Sequence, residues 1–73
     1  MKKTVYSIEH RYMVERLKRA RKEAGLGQEK VAKLLGVSQS YMSKVESGQR
    51  RIDLVQLKQF ARTYKKPLNF FIK

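Results

Sequence analysis

The chemistry that this sequence offers is concentrated in one polar stretch, GVSQSYMSKVESGQR, which runs from Gly36 to Arg50. If the stretch is helical, one side of that helix carries small side chains that donate and accept hydrogen bonds: Gln39, Ser40, Ser43, Lys44 and Ser47. Amide, hydroxyl and ammonium groups suit the recognition of another polar molecule. The face therefore predicts binding, provided that other elements hold it in place.

The residues that usually perform catalysis are scarce. His10 is the only histidine, and we expect it to be a surface residue of a helix. The chain has no cysteine, which excludes disulfides and sites built on a thiolate. Neither a cluster of metal ligands nor a glycine loop that cradles phosphate is present. We therefore expect no enzyme activity, no cofactor and no bound metal.

Charge gives the strongest indication of a partner. The 73 residues, one domain at most, include 18 Lys and Arg against six acids, a formal net charge of +12. Solubility alone needs only about 2–8 net charges. Such a surface favours nucleic acid first and an anionic membrane second. The apolar runs are too short to cross a membrane, and the lack of cysteine favours a cytoplasmic protein.

Helical spacing of apolar residues begins near Ile8. Met13, Leu17, Ala20 and Ala24 form one stripe, and Gly25 supplies a stop. A second helix is predicted from Gln28 to Leu35, with three residues facing inward: Val31, Leu34 and Leu35. Residues 1–7 are read as a basic N-terminal arm, and residues 8–73 as a single domain.

The second half of the chain continues the helical pattern. Ser38 is the expected N-cap of a third helix that runs to about Ser47 and ends at Gly48. Asp53 is the expected N-cap of a fourth helix, whose apolar positions are Leu54, Leu57, Phe60, Ala61 and Tyr64. Pro67 opens a last short helix with three apolar residues: Leu68, Phe70 and Phe71. No segment alternates like a strand, so the fold is predicted to be all-α.

The spacing between the second and third helices is that of a helix-turn-helix. Two helices that cross at about 90–120° need a small residue where they come closest, and Ala32 is small. Their turn needs a residue that accepts a positive φ, and Gly36 does so. Apolar residues occupy the positions that form the seam between the helices: Val31, Leu35, Val37, Met42 and Val45.

With these residues in view, the span from Leu17 to Phe71 resembles the Cro/repressor-type helix-turn-helix domains of the XRE family. The similar span reads LKRARKEAGLGQEKVAKLLGVSQSYMSKVESGQRRIDLVQLKQFARTYKKPLNFF. The resemblance implies a compact five-helix bundle of the lambda-repressor-like type, in which helices 2 and 3 form the helix-turn-helix. It also implies a transcriptional regulator, expected to be a repressor, that binds a short palindromic operator in double-stranded DNA as a homodimer.

The resemblance gives roles to individual side chains. Gln39, Ser40 and Lys44 match the positions that usually read bases, since Gln can pair with adenine and Lys with guanine. Ser43 is a fourth candidate for base contact. The expected phosphate contacts are Gln28, Ser47, Arg50, Arg51 and Tyr41. For Tyr41, the alternative that its ring packs against the second helix stays open.

Two further positions follow from the same resemblance. Arg21 and Glu46 match residues that often form an ion pair between the first and third helices, so we expect them to be structural. Gly27 departs from the family pattern, which usually has Ser or Thr as the N-cap of the second helix. Gly is a tolerable cap, but the hydroxyl is lost.

A partner other than DNA remains open. Domains of this fold also serve as antitoxins or adaptors whose main partner is a protein, and the apolar end of the chain would suit this: Phe70, Phe71 and Ile72. The same segment could form the homodimer seam or simply pack in the core. RNA readers use aromatic platforms, whereas the aromatic residues here are scattered. A helix lying on a membrane needs an extensive apolar face, and none is to spare.

Overall fold

A computed structural model describes residues 7–73, so residues 1–6 of the predicted basic arm lie outside the described residues. Between residues 7 and 73 the chain contains helices and no strand. The elements are α1 (Ile8–Glu23), α2 (Gln28–Leu35), α3 (Gln39–Glu46), α4 (Leu54–Tyr64) and a short 3₁₀ turn (Leu68–Phe70). The fold is all-α, and α2 and α3 form the predicted helix-turn-helix.

The prediction of five helices was wrong. The described chain has four α-helices, and the segment after Pro67 makes only one 3₁₀ turn. Its amides bond three residues back, from Phe70 to Pro67 and from Phe71 to Leu68, at 3.0 and 3.1 Å. This tight turn directs Phe71 into the core, where the side chain is fully buried. Burial of an aromatic ring therefore decides the conformation of this segment.

Local signals start and stop the helices where the sequence predicted. The Ser38 hydroxyl accepts a hydrogen bond from the Tyr41 amide at 3.0 Å, which caps α3. Asp53 and Gln56 form a reciprocal capping box at the start of α4. Gly36 ends α2 with a φ of 71°, a conformation that costs glycine no steric strain. Each of these devices acts within four residues, so each could be predicted from sequence.

The core lies where the four helices meet. Its largest fully buried side chains come from every α-helix and from the chain end: Leu17, Val31, Met42, Val45, Phe60 and Phe71. In a chain this short, burial of these few side chains has to supply most of the stability. The same side chains fix how α3 is oriented, because two of them, Met42 and Val45, belong to α3.

The predicted inward face of α2 was partly wrong. Val31 and Ala32 are buried, whereas Leu34 is 57% exposed. Since each residue of an α-helix turns by about 100°, a buried face centred between Val31 and Ala32 leaves Leu34 about 110° away from that centre. Leu54 at the start of α4 is likewise 56% exposed. Apolar type alone therefore did not tell which leucines are in the core.

The chain end packs against α1. Arg16 donates from Nε to the Phe70 carbonyl at 2.8 Å, and its guanidinium lies 3.9 Å from the centroid of the Phe70 ring. Phe71 is fully buried, while Ile72 is 52% exposed. Phe71 is thus committed to the core, whereas Phe70 is only half-buried and Ile72 is exposed, so a dimer contact through this segment stays a prediction. Among residues 7–73, no helix is long and apolar enough to cross a membrane.

Candidate nucleic-acid interface

The polar face of α3 is exposed. Met42, Val45 and Glu46 are buried, and this turns the opposite side of the helix toward solvent. That side carries the four predicted base-reading residues, all of them exposed: Gln39, Ser40, Ser43 and Lys44. Within the described chain, none of these four side chains hydrogen-bonds or pairs with another residue. Their donors and acceptors are therefore available to a partner.

An ion pair holds this helix against α1. Arg21 donates from Nε to Glu46 at 2.7 Å and from a terminal nitrogen to the other carboxylate oxygen at 3.0 Å. The side chains are only 11% and 4% exposed. The hydrogen bond to Glu46 raises the pKa of Arg21, against the opposing effect of burial. Because the pair is buried, loss of either partner is expected to cost about 3–5 kcal/mol.

The predicted phosphate contact Gln28 belongs partly to the same network. Its amide nitrogen donates to a carboxylate oxygen of Glu46 at 3.0 Å, so the start of α2 is tied to the end of α3. The nitrogen has a second hydrogen, which can still bond a phosphate. Gly27, the residue before it, caps α2 without any side-chain hydrogen bond. The free amides of the first turn of α2 thus remain open to an anion.

Tyr41 and Arg50 lie together beside α3. The tyrosine ring packs partly against the core, and the Arg50 guanidinium lies 4.7 Å from the ring centroid. Packing and phosphate contact were both left open for Tyr41 by the sequence, and the structure places its ring in a packed position. A guanidinium held over a ring keeps its N–H groups free at the edge. The Arg50 side chain is thus exposed, and its N–H groups can contact a partner.

Ser47 and Arg51 differ in their surroundings. Ser47 is exposed at the end of the polar face of α3 and donates its hydroxyl hydrogen to the Lys44 carbonyl at 3.1 Å. Arg51 is also exposed, but it lines a groove together with residues from the start of α1 and the chain end, among them Glu9 and Phe71. The two neighbouring arginines therefore do not share one site: Arg50 lies by α3, and Arg51 lies by α1.

His10 was expected on the surface and is buried instead. It is 7% exposed, and its Nε2 lies 3.0 Å from the carbonyl oxygen of Gly48, where α3 has just ended. The apolar stripe of α1 would have indicated this, because His10 lies four residues before the buried Val14 and seven before Leu17. Residue type alone misled the sequence interpretation.

Tyr64 lies near the ion pair without bonding to it. Its hydroxyl oxygen is buried and has no hydrogen-bond partner within residues 7–73. Burial raises the pKa of Tyr64, the negative charge of Glu46 raises it further, and the positive charge of Arg21 opposes both. The hydroxyl therefore stays neutral to a higher pH than that of an exposed tyrosine.

Comparison with protein families identifies the fold family of this chain. A family model described as a helix-turn-helix domain matches residues 13–67, well over half of the chain. No curated protein matches. The matched span includes α2, α3 and the loop that carries Arg50.

Proposed function

This chain belongs to the helix-turn-helix domain family, and from that premise we propose that it is a sequence-specific regulator of transcription that binds double-stranded DNA. In this proposal α3 enters the major groove, which is wide enough for one helix. Gln39, Ser40 and Lys44 read base edges, and Ser43 adds a smaller contact. Occupation of a promoter would block access to it, which favours repression. Such a protein works in the cytoplasm, at the nucleoid.

The observation that carries the proposal is a polar face that the fold leaves unused. α3 is capped by Ser38, anchored by Met42 and Val45 and fixed by Glu46. Its exposed side chains form no hydrogen bond within the described chain. A rigid element that presents unsatisfied donors and acceptors is what base recognition requires, because specificity depends on the position of each group.

Charge and phosphate contacts support the same function. Residues 25–47 hold three basic and two acidic residues, whereas residues 48–73 hold seven basic residues and one acid. In a protein–DNA complex, base contacts determine sequence specificity, while flanking phosphate contacts supply affinity. A nearly neutral helix-turn-helix followed by a basic segment fits that division of roles. We assign phosphate contacts to Arg50, Ser47 and Gln28 near α3, and to Arg51 at the outer edge. Tyr41 contributes by holding Arg50.

We further propose that two copies bind a short palindromic operator, with half-sites about 10–10.5 base pairs apart. The chain end, where Ile72 is 52% exposed and Phe70 is half-buried, is one surface for the contact between copies. Leu54 and Val55, which are 56% and 64% exposed at the start of α4, offer a second. The same pair would serve a protein partner in the antitoxin-like or adaptor role.

The test is selection of bound duplexes from a random DNA pool at two salt concentrations. We expect a two-fold symmetric motif that is enriched at both. Binding that enriches no motif and collapses as salt rises would leave only the electrostatic attraction, and the specific regulator would be excluded. An enriched motif without symmetry would retain the DNA reader and exclude the palindrome.

A further inference from the structure

His10 connects α1 to the turn that follows α3. Its Nε2 lies 3.0 Å from the Gly48 carbonyl oxygen, across 38 residues of sequence. Because a carbonyl can only accept, Nε2 carries the hydrogen of this bond. Gly48 is itself buried, and a buried carbonyl needs a donor. His10 supplies that donor from α1.

The turn at Gly48 sets the course of the loop that follows. Gly48 has a φ of 85°, so the chain reverses there without strain. The next two amides, those of Gln49 and Arg50, both bond to the Lys44 carbonyl, at 3.0 and 3.2 Å. Arg50 then lies against the ring of Tyr41. The orientation of the Gly48 peptide thus fixes the backbone position from which the Arg50 side chain extends.

The ring of His10 also lines a surface groove between α1 and the end of α3. The groove has a volume of about 450 Å³ and includes Val14 and Ser47 among its walls. If the ring were removed, the Gly48 peptide would face this groove and lose its donor from α1. The turn would then be held by α3 alone.

We propose that His10 is a positioning residue for DNA binding, which holds the Gly48 turn so that Arg50 meets the phosphate backbone. The inference rests on the proposed function, since it names a residue that acts through Arg50 at that site. It predicts that the bond from His10 affects affinity for every sequence and leaves base preference unchanged. Base preference belongs to the face of α3, which His10 does not touch.

The first experiment uses the free protein. Three variants are compared with wild type: His10→Phe keeps a ring but loses the donor, His10→Gln keeps a donor of comparable reach, and Val14→Ala removes packing from the same groove. Amide hydrogen exchange is measured at Gln49 and Arg50. We expect exchange to accelerate about threefold to tenfold in His10→Phe, the value of one hydrogen bond, and to stay near wild type in His10→Gln.

Binding is then measured on a selected duplex and on a scrambled one, over a series of salt concentrations. We expect His10→Phe to weaken both complexes about threefold to tenfold. The ratio between the duplexes should not change. The slope of log affinity against log salt should become less negative by up to about 0.9, the value for one phosphate contact. His10→Gln should restore both affinity and slope.

Thermal melting separates positioning from general destabilisation. If Val14→Ala lowers the melting temperature as much as His10→Phe does and reduces the salt slope equally, the inference is overturned. Unchanged exchange and slope in His10→Phe also overturn it. If wild type binds neither duplex, the proposed function is overturned, and with it the role of His10 in DNA binding. The exchange data then still decide whether His10 holds the Gly48 turn.

Discussion

At the scale of single residues, polar side chains divide into those committed to the fold and those left for a partner. Arg21 and Gln28 both donate hydrogen bonds to the Glu46 carboxylate, at 2.7–3.0 Å. The side chains of Gln39 and Lys44, on the same helix-turn-helix, form no hydrogen bond or ion pair with another residue of the described chain. Polar side chains of similar type therefore serve either the fold or a partner. Substitution of the first kind should affect stability, and substitution of the second kind should affect binding.

Gln39→Ala and Arg50→Ala should have different effects on DNA binding. In the proposed complex Gln39→Ala would remove a base contact, so we expect relaxed preference at one base pair, worth about 1–3 kcal/mol of discrimination. Arg50→Ala would remove a proposed phosphate contact, so affinity for all sequences should weaken alike, and the slope of log affinity against log salt should become less negative by about 0.9. Parallel selections and titrations check both. A uniform loss of affinity in both variants would contradict these roles.

Tyr64→Phe should stabilise the protein or leave it unchanged at neutral pH. The hydroxyl is buried without a partner among the described residues, and a buried orphan group costs about 1–3 kcal/mol. Removing the oxygen relieves that cost while the ring stays in the core. Chemical denaturation measures the difference in free energy of unfolding. A clear loss of stability would mean that the hydroxyl has a favourable contact.

The same residue predicts an alkaline dependence of stability. In the folded protein the pKa of Tyr64 lies above its ordinary value of 10.0, mainly because of burial. Below about pH 10 both states keep the proton, and stability is unaffected. Above it the unfolded state ionises first and is favoured, so stability falls with rising pH. Melting temperatures measured between about pH 9 and pH 11, on either side of that ordinary pKa, should fall more steeply for wild type than for Tyr64→Phe.

At the scale of elements, the caps of the helix-turn-helix are unequal. α3 has a hydroxyl cap in Ser38, and α4 has a full capping box. The N-cap of α2 is Gly27, whose backbone is extended and which has no side chain to cap the helix. The start of α2 is therefore the weakest of the three starts, although it adjoins the expected phosphate contact of Gln28.

Gly27→Ser should strengthen the start of α2. A Cβ at this position meets no atom within 4 Å, and Ser is a better cap than Gly by a few tenths of a kcal/mol. We expect a slightly higher melting temperature and unchanged or tighter DNA binding. Gly25→Ser is the matched control, because it has equal space but a φ of 74°. The control should be destabilised, and equal responses of the two variants would contradict the cap argument.

Elements also show what sequence could and could not predict here. Ser38, Gly36 and Asp53 were predicted correctly because caps and turns depend on neighbours in the chain. Leu34 and His10 were predicted incorrectly because their burial depends on how helices cross. The pairing of Arg50 with Tyr41, and of Phe71 with the core, depends on contacts distant in sequence. Local conformation and the two faces of α3 could be inferred from residue types and spacing, whereas the burial of His10 and the exposure of Leu34 could not.

At the scale of the whole molecule, the charge of +12 acts on both kinds of association. Two copies repel each other, while each copy attracts a polyanion. Salt screens both interactions, with a Debye length of about 8 Å at physiological ionic strength. Its effects should therefore have opposite signs for self-association and for DNA binding.

Self-association of the free chain should increase with salt, and DNA affinity should decrease. We expect sedimentation to show monomer at low salt without DNA, and two copies on an operator duplex. Leu54→Lys should weaken pairing on that duplex, because it places a charge in the exposed apolar pair at the start of α4. Lys58→Ala is the control, because Lys58 is exposed on the same helix. Val31 is not a suitable control position, since it is fully buried. A stable dimer at low salt would contradict the expectation.

The freedom of the exposed face of α3 has a consequence for how such a protein evolves. Its four outward side chains, Gln39, Ser40, Ser43 and Lys44, support no other residue of the described chain. Substitutions there can change what is recognised without passing through unfolded intermediates. A duplicated gene could thus acquire a new target in single steps, and a combinatorial library at these four codons should yield mostly folded members with diverged targets.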